Sequence, residues 1–240
     1  MPPLSQALDR SLIRPLSLFD GMSDDELDDV LSMAGSRRYA LGETLFEQGQ
    51  QADRFYVLLH GRLRVTQVTP QGQQVVMRMV NPGDICGIAR ALRRPDYPGT
   101  ATAVADSIAL HWAMNDWAPI LGRHPAFAVN AMQIIGERLQ EAQARIREMS
   151  TEAVERRIGH TVLRLAGQSG QRGPDGIRID FPISKQDIAE MAGTTLHTVS
   201  RVLSAWESAG IVDGGRQKLL VKDPHRLLLI AEGVEAGPSR

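Results

Sequence analysis

The sequence predicts an α+β protein in which a β-rich N-terminal domain, a long helix and a C-terminal winged helix-turn-helix follow one another. Three observations predict this order. Short alternating apolar runs separated by glycines fill the N-terminal half, a heptad pattern starts at Ala128, and a helix-turn-helix pattern with a strand pair closes the chain. With 240 residues, the chain has room for two ordinary domains. We therefore expect domains at 1–125 and 151–240, joined by a dimerisation helix at 126–150.

The composition limits the classes of function. Hydrophobic residues form 42% and charged residues 23% of the chain, as in soluble globular proteins. No signal-peptide run is present, and no stretch approaches the ~20 apolar residues that span a bilayer, so we expect a cytoplasmic protein with no membrane partner. One cysteine, Cys86, excludes an intramolecular disulfide and disfavours an iron-sulfur cluster. Because no catalytic or metal-binding motif is found, we predict neither an enzyme nor a bound metal ion.

The N-terminal half combines short helices with strands. Ser23 and Glu26 form a capping-box pattern at the start of a helix. Alternating runs at 55–59, 63–68 and 75–80 follow, with glycines at positions 42, 49, 61, 72, 83 and 87. Short strands with turn residues between them predict an antiparallel barrel or sandwich.

A heptad seam follows this half. Its apolar residues alternate in spacing between four and three, and they are Ala128, Met132, Ile135, Leu139, Ala142, Ile146 and Met149. A single amphipathic helix packed on its own domain could show such spacing, but three heptads with flanking charges favour a two-chain coiled coil. We therefore expect a homodimer.

The region after the seam predicts a helix at 154–166, ending at Gly167. The segment 168–176 is rich in Gly, Ser and Pro and predicts a loop, and a strand is expected at 177–183.

A helix-turn-helix pattern begins at Ser184, with Asp187 three residues later as a capping partner. Gly193 lies in the turn, Thr194 or Thr195 caps the second helix, and Gly210 ends it. On this second helix Val199, Val202, Leu203 and Trp206 form the buried stripe, which leaves His197, Arg201, Ser204 and Ser208 on the opposite face. Such a unit is typical of DNA-binding proteins, in which the second helix enters the major groove.

Local basic residues support double-stranded DNA as the partner, although the net charge of the chain is −1. Arg201 is the residue type that bonds guanine in two places. The hairpin pattern at 211–221, with its turn at Asp213-Gly214-Gly215, predicts a wing. Arg216 and Lys218 on the wing, with Lys185, are placed to contact phosphates. A solvated helix face with no DNA remains the alternative.

The chain resembles the Crp/Fnr (catabolite activator) family along nearly its whole length. The matching motifs are Gly42-Glu43-Thr44-Leu45-Phe46-Glu47-Gln48-Gly49, Phe55-Tyr56-Val57-Leu58, Gly61, Pro82-Gly83-Asp84, Ile183-Ser184-Lys185-Gln186-Asp187-Ile188-Ala189 and Thr198-Val199-Ser200-Arg201. The first four resemble the cyclic-nucleotide-binding β-roll, and the last two resemble the winged helix-turn-helix of the family.

The resemblance implies a homodimer that reads a palindromic operator, with one helix in each half-site and RNA polymerase as a further partner. The base-reading positions would be Leu196, His197, Ser200 and Arg201, with Lys185, Thr195, Arg216 and Lys218 beside them. Most relatives carry Glu where this chain has His197, which leaves the preferred base at that position open. Leu196 can make only apolar contact, for example with a thymine methyl group.

The resemblance also implies an effector pocket in the β-roll. The candidate residues are Ile85, Cys86, Gly87, Ile88, Ala89, Gly99, Thr100, Ala101, Arg138 and Ala142. Cyclic AMP binders of the family use a Glu and an Arg where Ile88 and Gly99 stand here, and Thr-Ser where Ala142 and Gln143 stand. A cyclic phosphate without its charged partner loses a charge-assisted pair, so cyclic AMP is disfavoured.

The effector could be another small molecule or a gas. The motif Thr198-Val199-Ser200-Arg201 and the effector cassette, the apolar segments 86–89 and 97–101, resemble the nitric-oxide or denitrification-type branch. In that branch haem has been proposed as the sensor. Candidate haem ligands are His60, His111, His124 and Cys86, none of which stands out. Two other functions remain alternatives: a regulatory cyclic-nucleotide-binding module, and a constitutive DNA binder with a vestigial sensor domain.

Overall fold

The computed structural model describes residues 10–179, 181–215 and 218–234. The chain divides into two compact units. Unit 1 comprises the residues up to Leu63 together with Val80–Leu139, and unit 2 comprises Arg64–Met79 together with the chain from Gln140 onward. The mixture of helices and strands confirms the predicted α+β class.

Helices occur at both ends of the described chain and in its middle. The α-helices are α1 (Arg10–Ile13), α2 (Asp24–Ser32), α3 (Trp117–Arg123), α4 (Pro125–Thr151), α5 (Val154–Ser169), α6 (Lys185–Ala192), α7 (Leu196–Ser208) and α8 (Pro224–Glu232). Short 3-10 helices lie at Ser17–Phe19, Arg90–Leu92 and Met114–Asp116.

Most strands lie between α2 and α3. The strands are β1 (Gly35–Tyr39), β2 (Thr44–Phe46), β3 (Arg54–His60), β4 (Leu63–Val68), β5 (Gln74–Val80), β6 (Ile85–Cys86), β7 (Thr100–Ala103), β8 (Ser107–Ala113), β9 (Gly170–Gly173), β10 (Gly176–Ile179), β11 (Val212–Gly215) and β12 (Lys218–Val221). The predicted strands at 55–59, 63–68 and 75–80 are therefore confirmed as β3, β4 and β5.

Unit 1 contains an antiparallel sheet in the order β1-β8-β3-β6, and a separate antiparallel pairing of β2 with β7. Side chains alternate between the two faces of a strand, so Phe55 and Val57 lie on one face of β3 and Tyr56 lies on the other. Phe55 and Val57 pack in the main apolar cluster of the unit, against Trp112 of β8 and Phe127 of α4. The sheet is thus covered by helices on the Phe55 face.

The N-terminal helices complete this cluster. Ser23 accepts a hydrogen bond from the Glu26 backbone N–H, and the Glu26 carboxylate accepts one from Ser23 N–H, which confirms the capping box. Leu27 and Val30 of α2 are fully buried, and Trp112 Nε1 donates to the Val30 carbonyl at 2.8 Å.

Unit 2 packs the β4–β5 hairpin, the C-terminal half of α4 and helices α5 to α8 with a sheet in the order β11-β12-β10-β9. Helices α5 and α8 approach closely at Gly159, where a Cβ atom would lie 3.2 Å from the Ala231 Cβ. A side chain at this position would press on α8, so glycine allows the close approach of the two helices.

Four predictions for unit 2 were wrong. Helix α5 continues past Gly167 to Ser169, and the expected loop at 168–176 contains β9, because β9 pairs with β10. The strand expected at 177–183 ends at Ile179. Asp213, Gly214 and Gly215 lie in β11, not in the turn of the wing, since Asp213 pairs with Leu220 and Gly215 with Lys218.

Candidate DNA-binding surface and effector cassette

Helix α6 is the first helix of the helix-turn-helix. The Ser184 hydroxyl accepts from the Asp187 N–H at 3.0 Å, and Asp187 Oδ2 accepts from the Ser184 N–H at 2.9 Å, which confirms the predicted capping box. Ile188 and Ala189 are buried. The helix ends at Gly193, whose φ of +62° is a left-handed conformation that favours glycine.

Helix α7 is the second helix. Thr195 is its N-cap, because its side chain accepts from the Thr198 N–H at 3.2 Å. The predicted stripe of Val199, Val202, Leu203 and Trp206 is buried. Side chains on the remaining face are exposed, and they include Leu196, His197, Arg201, Ser204 and Ser208. Ser200 is half-buried beside them.

Helix α5 fixes the position of both of these helices through its first turn. Glu155 Oε1 accepts from Trp206 Nε1 of α7 at 3.1 Å. Arg156 Nε donates to the Ala231 carbonyl of α8 at 2.9 Å. Arg157 Nε donates to the Ala192 carbonyl at 3.0 Å. Three consecutive residues thus bond to three other helices, a role that no motif in the sequence indicated.

The wing places basic side chains beside α6. Lys185 and Lys218 line one cleft of about 240 Å³ together with Ile188 and Leu203. Lys218 is exposed, so its ammonium group is free to approach a phosphate. Arg216, predicted as a phosphate contact, lies outside the described residues. The structure therefore brings two of the predicted phosphate contacts together.

The effector cassette largely packs inside unit 1. Ile85 and Ile88 belong to the main apolar cluster, and Cys86, Ala89, Gly99 and Ala101 are buried. Gly87 has a φ of +77°, and its Cβ would lie 3.0 Å from Cδ2 of Tyr56. The Thr100 hydroxyl accepts from the Gln48 N–H at 3.0 Å. Most of the predicted pocket residues thus contact other parts of their own fold.

Aromatic rings lie on the Tyr56 face of the sheet. Phe46 stacks on Tyr97 with ring centroids 4.2 Å apart, and it lies 5.6 Å from the ring of Tyr56. The Tyr97 hydroxyl donates to the Arg54 carbonyl at 2.7 Å. Burial raises the pKa of both Tyr56 and Tyr97 above the ordinary value, so these phenols stay protonated at neutral pH.

The two cassette candidates on α4 differ in their surroundings. Arg138 NH2 lies 3.5 Å from Asp84 Oδ1, within unit 1. Ala142 is exposed. A guanidinium beside the cassette that already has a carboxylate partner is less available to an anionic ligand.

The candidate haem ligands do not form a common site. His60 is exposed at the end of β3, and His124 Nε2 lies 2.8 Å from Asp29 Oδ2. The His111 ring lies over Gly35, where a Cβ atom would be 2.4 Å from it. Burial, followed by the charges of Arg54 and Arg37, lowers the pKa of His111. Within the described ranges, no group of three or more His, Cys, Asp or Glu side chains could hold a metal ion.

Helix α4 presents an apolar stripe to solvent. Met132, Leu139 and Ile146 are seven residues apart and are 64%, 59% and 66% exposed. Ala142 and Met149 are exposed beside them, whereas Ala128 is half-buried. Ile135 packs against the cluster of unit 1. The predicted seam thus divides into an exposed part and a part that contributes to the fold of one chain.

A tight turn at Gly193, a recognition helix capped by Thr195 with an exposed polar face, and a two-stranded wing define a DNA-binding winged helix-turn-helix. Residues 36–124 match the sequence profile of the Cyclic nucleotide-binding domain, and residues 156–230 match that of the Crp-like helix-turn-helix domain. None of the helices in the described ranges is long and apolar enough to cross a membrane.

Several known proteins are similar to this chain over most of its length. The Cyclic AMP receptor protein of Thermus thermophilus is 30% identical, over 90% of this chain and 97% of the relative. The transcriptional activator protein FnrA of Stutzerimonas stutzeri is 25% identical, over 92% and 89%. FixK2 from Bradyrhizobium japonicum has the same fold, with a TM-score of 0.72, 20% identity and coverage of 86% and 99%. The chain belongs to the Crp/Fnr family of DNA-binding transcription regulators.

Proposed function

We propose that this chain is a cytoplasmic homodimeric regulator that binds a palindromic operator through α7, under the control of an effector other than cyclic AMP. The observation that carries the proposal is the exposed face of α7, where Arg201 and His197 lie on one side of a helix whose opposite side is buried. A recognition helix needs this division because its base-reading side chains must be free of contacts to their own fold.

The exposed stripe on α4 supports the homodimer. A protomer with Met132, Leu139 and Ile146 in water would carry an unusual row of exposed apolar side chains, and burial of this row in a two-chain coiled coil removes it. A two-fold symmetric dimer presents two copies of α7, which fits a palindromic operator with half-sites about 10 base pairs apart.

The cassette supports an effector other than cyclic AMP. Ile88 lies in the apolar cluster, where no carboxylate replaces the missing Glu, and Gly99 is buried without a side chain. The ribose and the cyclic phosphate therefore lack the two charged partners that the cyclic AMP binders of the family supply.

The nitric-oxide or denitrification-type branch remains a proposal that rests on the motif Thr198-Val199-Ser200-Arg201 of α7. The histidines do not support haem as its sensor, because His124 is paired with Asp29 and His111 packs over Gly35. RNA polymerase is proposed as a further partner by analogy with the family alone.

A second function is favoured by the aromatic side chains around Phe46. Stacked rings of Phe46 and Tyr97, with Tyr56 beside them, occupy space on the Tyr56 face of the sheet. This filling supports a constitutive DNA binder with a vestigial sensor domain.

Selection of duplexes from a random library by the purified full chain tests the proposal. We expect a two-fold symmetric consensus with guanine in each half-site. Recovery of sequences without symmetry, or of none, would contradict it. Millimolar cyclic AMP should change neither the melting temperature nor the affinity for the selected duplex, since a ligand that binds only the folded state must stabilise it. Retention of the same affinity in protein purified free of small molecules would favour the constitutive alternative.

A further inference from the structure

An ion pair joins the β4–β5 hairpin to the first helix of the helix-turn-helix, within unit 2. Arg64 NH1 of β4 lies 2.5 Å from Asp187 Oδ1 of α6, and the two side chains are 31% and 10% exposed. Arg64 lies in the segment that matches the cyclic-nucleotide-binding profile, and Asp187 lies in the helix-turn-helix profile. No local pattern predicts this pair, because its members are 123 residues apart.

The two oxygens of the Asp187 carboxylate have different partners. Oδ2 accepts from the Ser184 N–H at 2.9 Å and from the Ser184 hydroxyl at 2.6 Å, which completes the cap of α6. Oδ1 is bonded to Arg64. The cap therefore does not depend on Arg64, and the guanidinium instead compensates the charge of a largely buried carboxylate.

The position of this carboxylate makes its charge important. Asp187 lies in the first turn of α6, two residues after Lys185, at the helix end where a phosphate is favoured by the free N–H groups and the helix dipole. An uncompensated carboxylate at that end would repel the DNA backbone. Arg64 removes this repulsion.

The hairpin is also held on its second strand. Arg145 of α4 donates from NH1 to the Met77 carbonyl of β5 at 2.5 Å. Burial, and then the charge of Arg164, lowers the pKa of Arg145 below its ordinary value. Each strand of the hairpin therefore has one arginine contact within unit 2.

We infer that Arg64 is a positioning residue for operator binding: it holds the β4–β5 hairpin on α6 and neutralises Asp187 at the helix end that approaches DNA. The inference rests on the proposed function, in which α6 and α7 bind DNA. It gives the segment of the β-roll between Arg64 and Met79 a direct influence on DNA affinity.

A double-mutant cycle at the two positions tests the inference. The full chain would carry Arg64→Met, Asp187→Asn or both, and the probe would be the duplex selected by the wild-type protein, titrated by fluorescence anisotropy. Arg64→Met should weaken binding about tenfold because a carboxylate is left unpaired near the phosphates. The double variant should recover to within about threefold of wild type, because the repelling charge is gone.

Arg38→Met is the matched control, since Arg38 is exposed on β1 and has no ion pair within the described ranges. Thermal melts of all variants would show whether the fold is retained. If Arg64 had only a structural role, the double variant would bind as weakly as Arg64→Met or more weakly, and the inference would be wrong.

Unchanged binding by Arg64→Met would also overturn the inference. Tighter binding would overturn it too, because the Arg64–Asp187 contact would then belong to a form that does not bind DNA. Failure of the wild-type chain to select any duplex would instead overturn the proposed function, and this inference with it.

Discussion

Arg157 holds the turn of the helix-turn-helix through Ala192: its Nε donates to the Ala192 carbonyl at 3.0 Å, and its NH2 donates to the next carbonyl, that of Gly193, at 3.1 Å. These carbonyls end α6 and have no partner within the helix. One guanidinium therefore completes the C-terminus of α6 and connects it to α5.

Arg157→Met should lower the free energy of unfolding of unit 2 by about 1–3 kcal/mol, because three carbonyls, those of Ala192, Gly193 and Glu152, lose a charged donor. Urea unfolding followed by the fluorescence of Trp206, in a background with Trp112 and Trp117 replaced by Phe, would measure it. Arg147→Met, at an exposed position of α4, is the control. Equal midpoints for the two variants would show that the contact contributes nothing.

Leu139→Lys with Ile146→Lys should convert the proposed dimer to a monomer at micromolar concentration, because each lysine would place an unpaired charge in the seam. Both side chains are exposed in one protomer, so its fold should be retained. Gln133→Lys with Gln140→Lys adds the same charge at exposed positions outside the stripe. Light scattering would separate the outcomes, and a dimeric Leu139/Ile146 variant would contradict the coiled coil.

Arg201→Ala and Lys218→Ala should have different effects on DNA binding. Arg201 lies on the exposed face of α7, where its loss should cost roughly 1–3 kcal/mol and remove discrimination at one symmetric base pair. Lys218 lies on the wing, where its loss should weaken all sequences about equally and reduce the salt slope by about 1 per protomer. Binding to an operator library at several salt concentrations would distinguish these two effects. A base preference altered only by Lys218→Ala would contradict the assignment of Arg201 to base reading and Lys218 to phosphate contact.

His111 should make unit 1 less stable at acid pH. Burial and the charges of Arg54 and Arg37 lower its pKa below the ordinary value of 6.5, so the unfolded chain takes up a proton before the folded one does. The contribution of His111 to stability is thus present above pH 6.5 and is lost as the pH falls toward the lowered pKa. The melting temperature of wild type relative to His111→Gln should fall between pH 7.5 and 5, and a constant difference would contradict this.

Sequence reasoning predicted the parts of the fold that local pattern determines. The capping boxes at Ser23 and Ser184 and the buried stripe of α7 each depend on residues a few positions apart. The division of the α4 seam was not predictable, because Ile135 and Leu139 are equally apolar and only packing against unit 1 distinguishes them.

Long-range pairs account for most of what the sequence did not show. Strand β9 forms because its backbone bonds β10, although Gly170 and Gly173 are poor strand formers. Arg157 and Arg64 reach partners on other elements, and an arginine in a sequence does not indicate which carbonyl or carboxylate it will meet. The exposure of His197 and Arg201 on α7 was easier to predict, since it follows from the helical period.

The side chains on the reading face of α7 make no hydrogen bond or ion pair to the rest of the described chain, and Leu196, His197 and Arg201 are exposed. Under the proposed function, a change at any of these three residues would alter the preferred DNA sequence with little effect on folding. After a gene duplication, two copies of this regulator could diverge in their target promoters through a few substitutions, each passing through a well-folded intermediate. The fold and the DNA sequence preference can therefore evolve separately.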